Sequence, residues 1–263
     1  MIKKIQNYLK ESYWKAWYSY ISQKDKNNEL TFLNYGFQGN KSTHNISEEK
    51  NRYSIQLYDF VVSSIPEGIE GKNVLEVGCG RGGGALFLMR DYKPKSVIGM
   101  DLCKGAIAFC IAHHHDLGLS FLKGDAQKIP MGDNSKDIVI NIESSHRYPD
   151  MDQFLREVNR VLKPAGYFSF ADFRASNKVN TLINKLSSSG MILLKREVIT
   201  PQVLKALDSD NERKLDLISR LVPRILHKPA REFASVRDSL SYKSLANRER
   251  EYLYFLMQKP EKV

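Results

Sequence analysis

The segment VLEVGCGRGGG, Val74 to Gly84, constrains this 263-residue chain more than any other. An apolar run ends in closely spaced glycines, and the apolar stretch ALFLM follows. That order predicts a buried strand, a glycine loop and a helix. Glycine lets the backbone turn tightly and lets a ligand approach where a Cβ would clash. The N-terminus of the following helix offers free N–H groups to an anionic group. Such a unit cradles a nucleotide-like cofactor, and Glu76, two residues before the first glycine, bears on which one.

The glycines alone leave two cofactor classes open. Gly78, Gly80 and Gly83 satisfy G-x-G-x-x-G, the dinucleotide fingerprint. Gly78, Gly80 and Gly82 satisfy the tighter acidic-x-G-x-G-x-G spacing of enzymes that use S-adenosylmethionine (SAM). Both classes place an acidic residue at the end of the second strand, about 20 residues on. Here it is Asp101, after SVIGM. Its carboxylate can accept hydrogen bonds from both ribose hydroxyls, so either cofactor suits it.

Three features favour SAM over a nicotinamide. Glu76 is a charge inside an apolar strand, costly unless ligand or backbone donors pair it. FLKGDAQKIP gives a third strand ending in Gly124-Asp125-Ala126, where an acidic residue meets the adenine amino group in SAM enzymes. DIVINIESSH and FLREVNRVLKPAGYFSFADF then read as a fourth strand, a helix, a turn and a fifth strand. The whole pattern resembles a SAM-dependent methyltransferase of the Rossmann-like type.

The expected fold is therefore α/β: a seven-stranded, mostly parallel, doubly wound sheet with its last strand antiparallel. Strands are predicted at 73–78, 96–101, 119–123, 137–142 and 167–172, with helices at 47–65, 83–91, 104–117 and 151–162. Alternating strands and helices predict helices on both faces of a parallel sheet. A further helix near 177–188, a sixth strand in MILLKREVI and a closing strand in REYLYFLMQKP complete it. The expected divisions are an N-terminal helical, aromatic cap (1–46), a SAM-binding core (47–200), a helical lid over the acceptor (201–248), and the final strand with its tail (249–263).

Composition sets the outer limits. The net charge of +10 raises nucleic acid or an anionic membrane as partners. The excess lies mostly in the C-terminal half, mixed with acids, and no compact Lys/Arg run with interleaved aromatics occurs. Nucleic acid is therefore disfavoured, while peripheral membrane contact stays open. Three cysteines form no even disulfide framework and no metal-like pair. No metal site is expected, and cytoplasmic residence is the default reading. The aromatic N-terminal stretch, with Trp14 and Trp17, reads as a helix for packing on the core, pairing with a second subunit or lying on a membrane.

Methyl transfer to a hydroxyl requires a base, and histidine suits that task. His146, in ESSHRYPD just past the fourth strand, is the candidate, because such sheets place active sites at the carboxyl ends of strands. Glu143 is the second candidate: it could hold the SAM amino group, orient His146 or act as base itself. Asn141 ends the same strand and joins the expected cofactor site. Tyr35, in NYGFQ, is expected to cover SAM and exclude water. Cys79 sits in the glycine loop as a small filler. His113, His114 and His115 cannot converge on one ion from a helix, and a solvated helix face is expected for them.

The resemblance goes further. ESSHRYPD, FLREVNRVLKPAGYFSFADF, VITPQVLKALDSDNERKLDLISRLVP and AREFASVRDS, in that order, are similar to the methyltransferases of phthiotriolone and phenolphthiotriolone dimycocerosates and related lipid or polyketide O-methyltransferases. It implies methylation of a hydroxyl on a greasy small-molecule acceptor. By position it implies that Glu76, Gly78, Gly80, Asp101 and Asp125 serve the cofactor, with His146 the base. Gly82 is expected to hold the methionine end with them. Leu102 is expected against the adenine, and Ala126 beside Asp125 at its edge. A C- or N-methyltransferase, and a SAM-binding protein that transfers no methyl, stay open.

Overall fold

The computed structural model describes residues 25, 28–39 and 49–261. Seven strands form one sheet: β1 Asn73–Val77, β2 Ser96–Asp101, β3 Leu119–Lys123, β4 Lys136–Ile142, β5 Leu162–Ala175, β6 Ile192–Val198 and β7 Arg250–Gln258. Their order is β3-β2-β1-β4-β5-β7-β6. Strands β1 to β5 pair in parallel, and β7 inserts antiparallel between β5 and β6. The expected seven-stranded sheet is present with its reversed last strand.

Helix α1 Arg52–Ser63 precedes β1, and four helices connect strands between β1 and β6: α2 Gly83–Tyr92, α3 Lys104–His113, α4 Met151–Val161 and α5 Ser176–Ser187. Between β6 and β7 lie four more: α6 Thr200–Ser209, α7 Asn211–Leu221, α8 His227–Ala234 and α9 Leu240–Ala246.

The strand residues alternate between two cores, as a period of two requires. Val74, Ile138, Ile140 and Tyr254 face the core with α1 and α2. Leu75, Val139, Phe168 and Phe255 face the core with α4 and α5. Each such Leu or Phe withdrawn from water contributes about 1.5–3 kcal/mol. A small third cluster joins α7 and α8 through Ile218, Val222 and Ala230, with Leu30 packed on it.

The order places a topological switch at β1 and β4. The chain runs outward from β1 to β3, then returns to pair β4 against the other side of β1. Helices cover opposite faces on either side of that point, so a crevice opens at the carboxyl ends of β1 and β4. The glycine loop leaves β1 there, and the ESSH loop leaves β4 there.

Two local expectations change. The helix predicted over 104–117 ends at His113, and His114 is buried, with ring Nε2 2.9 Å from the Arg81 carbonyl. It backs the glycine loop instead of sitting on a solvated face. The Lys-Pro-Ala-Gly turn is absorbed into β5 as a bulge between the pairs Lys136–Leu162 and Ile138–Tyr167. Ala165 takes a left-handed φ of +62° within it.

Helices α1 and α2 approach closely because Gly84 lacks a side chain. A Cβ there would lie 2.0 Å from Cζ of Tyr58. Gly84→Ala must push the two helices apart, at a cost of about 1–3 kcal/mol. Urea unfolding followed by circular dichroism should show a lower midpoint at unchanged slope.

Candidate active site

The glycine loop holds three left-handed residues: Gly78 (φ +82°), Gly80 (φ +54°) and Gly82 (φ +77°). Side chains rarely adopt that conformation. At Gly78 space is also lacking, since a Cβ would lie 2.2 Å from the Ser144 hydroxyl. The loop is pinned from β2: Gly78 and Cys79 donate their N–H groups to the Met100 carbonyl. Gly80 N–H donates to Asp101 Oδ2 at 2.9 Å, and Cys103 N–H donates to Oδ1 at 2.8 Å. Asp101 thus meets the glycine loop directly, and burial raises its carboxyl pKa against those bonds. Beside it Leu102 is 46% exposed, an apolar surface at the strand end.

Below the loop, Glu76 is fully buried. Its Oε1 accepts the Tyr58 hydroxyl at 2.5 Å. Burial pushes its carboxyl up to about 7 against that bond. Asn141 is equally buried and donates Nδ2 to the Val77 carbonyl at 2.8 Å, tying β4 to the end of β1. The same Nδ2 donates to the Ser144 and Tyr148 hydroxyls. Glu76 Oε2 and Asn141 Oδ1 have no hydrogen-bond partner among the described residues. Asp125 is exposed at the end of β3, its Oδ1 taken by the Gln127 N–H at 2.9 Å, while Ala126 is buried.

His146 stands in a short 3-10 turn, Ser145–Arg147, past the end of β4. Its Nδ1 lies 2.8 Å from Oδ1 of Asp172, and its backbone N–H donates to Oδ2 at 2.9 Å. Ser145 donates its hydroxyl to Oδ2 at 2.7 Å, and Arg174 lies 3.1 Å away. Burial alone would raise the Asp172 carboxyl, yet His146, Arg174 and the bonds from His146 and Ser145 hold it well below the usual range. Arg147 Nε donates to His146 Nε2 at 3.1 Å. A donor at Nε2 makes that nitrogen the acceptor, so Nδ1 carries the proton toward Asp172. The ring stacks on Phe173, centroids 4.3 Å apart.

Asp172 was not anticipated. The signal was present in FSFADF, an acid inside an apolar strand, the same argument that singled out Glu76. Glu143 does not orient His146; Asp172 does. Instead Glu143 Oε1 accepts the Tyr35 N–H at 2.7 Å and the Tyr252 hydroxyl at 2.8 Å. Its backbone is left-handed, φ +47°, a strain of the sort that persists where surroundings over-determine a residue.

Tyr35 is buried and stacks on Phe173, centroids 5.4 Å apart. Tyr35, Phe173 and His146 therefore form one row of rings. Tyr35 also lines a cavity of about 80 Å³ with Phe32, Leu217, Ile218, Phe233 and Lys214. Arg147, the donor to His146, lies 5.8 Å from the centre of the Phe233 ring. Two lining residues thus connect to His146 through one intervening side chain each, Tyr35 through Phe173 and Phe233 through Arg147.

The N-terminal segment reaches the loop as well. Arg81 and Asp25 form a fully buried ion pair at 2.8 Å, with the guanidinium over Phe109. Gly83 N–H donates to the Thr31 carbonyl. The aromatic helix expected before residue 25, and the pairing or membrane roles read from it, lie outside the described residues. Among the described residues no cluster of His, Cys, Asp or Glu could hold a metal, and no helix is long and apolar enough to cross a membrane.

Burial pushes the Glu143 carboxyl up to about 8. The folded protein therefore holds a proton that the unfolded chain releases near 4.5. Stability conferred below that pH is lost as pH rises toward about 8. Glu143→Gln keeps an acceptor for Tyr35 and Tyr252, and should flatten this decline in melting curves taken from pH 5 to pH 8.

Comparison with known proteins bears on this geometry. Residues 75–170 match the family model described as "Methyltransferase domain". The chain is 36% identical over 246 residues to the fatty-acid O-methyltransferase of Mycolicibacterium smegmatis, covering 92% of this chain and 88% of that protein. It is 35% identical over 249 residues to the phthiotriol/phenolphthiotriol dimycocerosates methyltransferase of Mycobacterium tuberculosis, covering 94% and 92%. Among solved structures it is similar to geranyl diphosphate C-methyltransferase from Streptomyces coelicolor A3(2) (TM-score 0.64, 15% identity, 90% and 94% covered). It is equally similar to the [4+2]-cyclase SpnF (TM-score 0.64, 20% identity, 88% of each). At those identities the structures speak to fold alone. The curated relatives, matched over nearly their whole length, speak to family: this chain belongs to the S-adenosylmethionine-dependent methyltransferases.

Proposed function

We propose that the chain transfers a methyl group to a hydroxyl of a lipid- or polyketide-like acceptor, with His146 as general base. The observation that carries this is the His146–Asp172 pair at 2.8 Å, with Nε2 left as the acceptor nitrogen. When bound, SAM supplies an electrophilic methyl on a sulfonium.

The residues present fit that cofactor. Gly78, Gly80 and Gly82 provide backbone without side chains, with Cys79 as filler. Asp101 offers its carboxylate at the end of β2, with Leu102 as the exposed apolar surface beside it. Asp125 and Ala126 stand at the next strand end. Glu76 and Asn141 each hold a buried oxygen without a donor, a demand that the ammonium of an amino-acid moiety meets. Tyr35 excludes water from above.

His146 takes the acceptor proton at Nε2, displacing the Arg147 donor. Asp172 keeps the ring oriented and stabilises the imidazolium that forms. The cavity lined by Phe32, Leu217, Ile218 and Phe233 takes an apolar chain. The names of two relatives support a lipid acceptor: one specifies fatty acids, whose oxygens are those of a carboxyl, and the other phthiotriol lipids, which carry hydroxyls. The proposal includes a cytoplasmic enzyme that meets its acceptor at an anionic membrane, which a net charge of +10 favours.

Two measurements test this. Labelled methyl from SAM should enter hydroxylated lipids, and His146→Ala or Asp172→Asn should lower kcat by roughly 100- to 10,000-fold, with SAM binding by calorimetry unchanged. Variants as fast as wild type would remove the base assignment. Gly78→Ala should raise the Kd for SAM about tenfold or more, since left-handed backbone penalises a Cβ by roughly 1–2 kcal/mol.

A further inference from the structure

Lys214, on α7, is 8% exposed and lines the apolar cavity. An ammonium carries three donors and no acceptor. Among the described residues its partners are the Tyr35 carbonyl at 3.3 Å and Asp210 at 4.0 Å. Asp210 is already engaged by Arg213, whose Nε and Nη2 donate to its two oxygens at 2.6 and 2.5 Å. The neighbouring cation thus takes the carboxylate, and the charge on Lys214 stays poorly compensated. Glu143 is the other acid near it, and its Oε1 accepts from Tyr35 and Tyr252. A buried, weakly paired cation is costly unless a ligand completes it.

We propose that Lys214 determines acceptor specificity: its ammonium takes the carboxylate of an acyl-chain acceptor whose hydroxyl, elsewhere on the chain, is methylated. The inference rests on the lipid-like acceptor proposed above and narrows it to hydroxylated fatty acids in their anionic form. Apolar walls from Leu217, Ile218 and Val222 hold the chain, and Lys214 is the charged group among them. Arg213 also lines the cavity but is committed to Asp210, which leaves Lys214 to recognise the anion. Lys214 touches no reacting atom in this scheme; it binds and orients.

The test compares a medium-chain 3-hydroxy fatty acid with its methyl ester, on wild type, Lys214→Met and Lys214→Arg. Wild type should prefer the acid and methylate its hydroxyl, read as the methyl ether by mass spectrometry; a methyl ester formed from the acid overturns the proposal. Lys214→Met should raise KM for the acid about tenfold or more, the scale of one lost charge-assisted hydrogen bond, and raise it by a larger factor than KM for the ester. Lys214→Arg should recover part of the preference. Calorimetry with SAM and a thermal melt accompany each variant. An unchanged acid-to-ester ratio in Lys214→Met overturns the proposal while leaving the lipid reading intact. Loss of SAM affinity or of melting temperature in step with acceptor affinity also overturns it, because Lys214 then only clamps Tyr35. Wild type that methylates neither compound but labels water-soluble acceptors overturns the lipid reading, and this proposal with it.

Discussion

The carboxylate of Asp172 organises the catalytic side of this molecule. It lies fully buried on β5, between β4 and β7, where an unpaired charge would be prohibitive. Ser145, the His146 backbone and the His146 ring all donate to it, and Arg174 adds its charge. Those contacts leave the turn after β4 little freedom. They fix which imidazole nitrogen is protonated, which way the ring faces, and where Arg147 comes to lie. Removing the acid would therefore change the tautomer and the loop together, so the part proposed for it is one of positioning.

The same economy recurs around the crevice. Tyr35 is clamped through its backbone, its N–H given to Glu143 and its carbonyl taken by Lys214. One peptide thereby joins the N-terminal segment, the ESSH loop and α7. Arg81 and Asp25 join that segment to the glycine loop on the other side. The proposed acceptor walls and cofactor cradle both draw on the same short stretch of chain. A change at residues 28–37 is felt at both.

What the sequence discloses follows from the range of the interactions. The glycine loop and the succession of strands and helices depend on local pattern, and the structure contains them; the reversed final strand followed from the family resemblance. His146 was legible as a candidate base at a strand end. Its partner was harder to read, because Asp172 lies 26 positions away and meets it only across neighbouring strands. Lys214 was harder still: in NERKLDLISRL one lysine among charged neighbours looks solvated, and only the packing of α7 against Tyr35 buries it. His114 shows the opposite error. Three adjacent histidines read as surface until the helix stops at His113 and turns the next ring inward.

The apolar cavity and the proposed His146–Asp172 dyad also bear on one another. A hydroxyl moved from water into a pocket of Phe, Leu and Ile side chains becomes harder to ionise, because the developing oxyanion loses its hydration. Methyl transfer to such an oxygen therefore depends on a base acting as the bond forms. A neutral amine has a lone pair ready and gains little from one. Asp172, already anionic and already paid for by its own hydrogen bonds, can receive an imidazolium beside it without further reorganisation. An oxygen acceptor in a greasy pocket is the substrate proposed above, and under that proposal the dyad and the cavity act as one site.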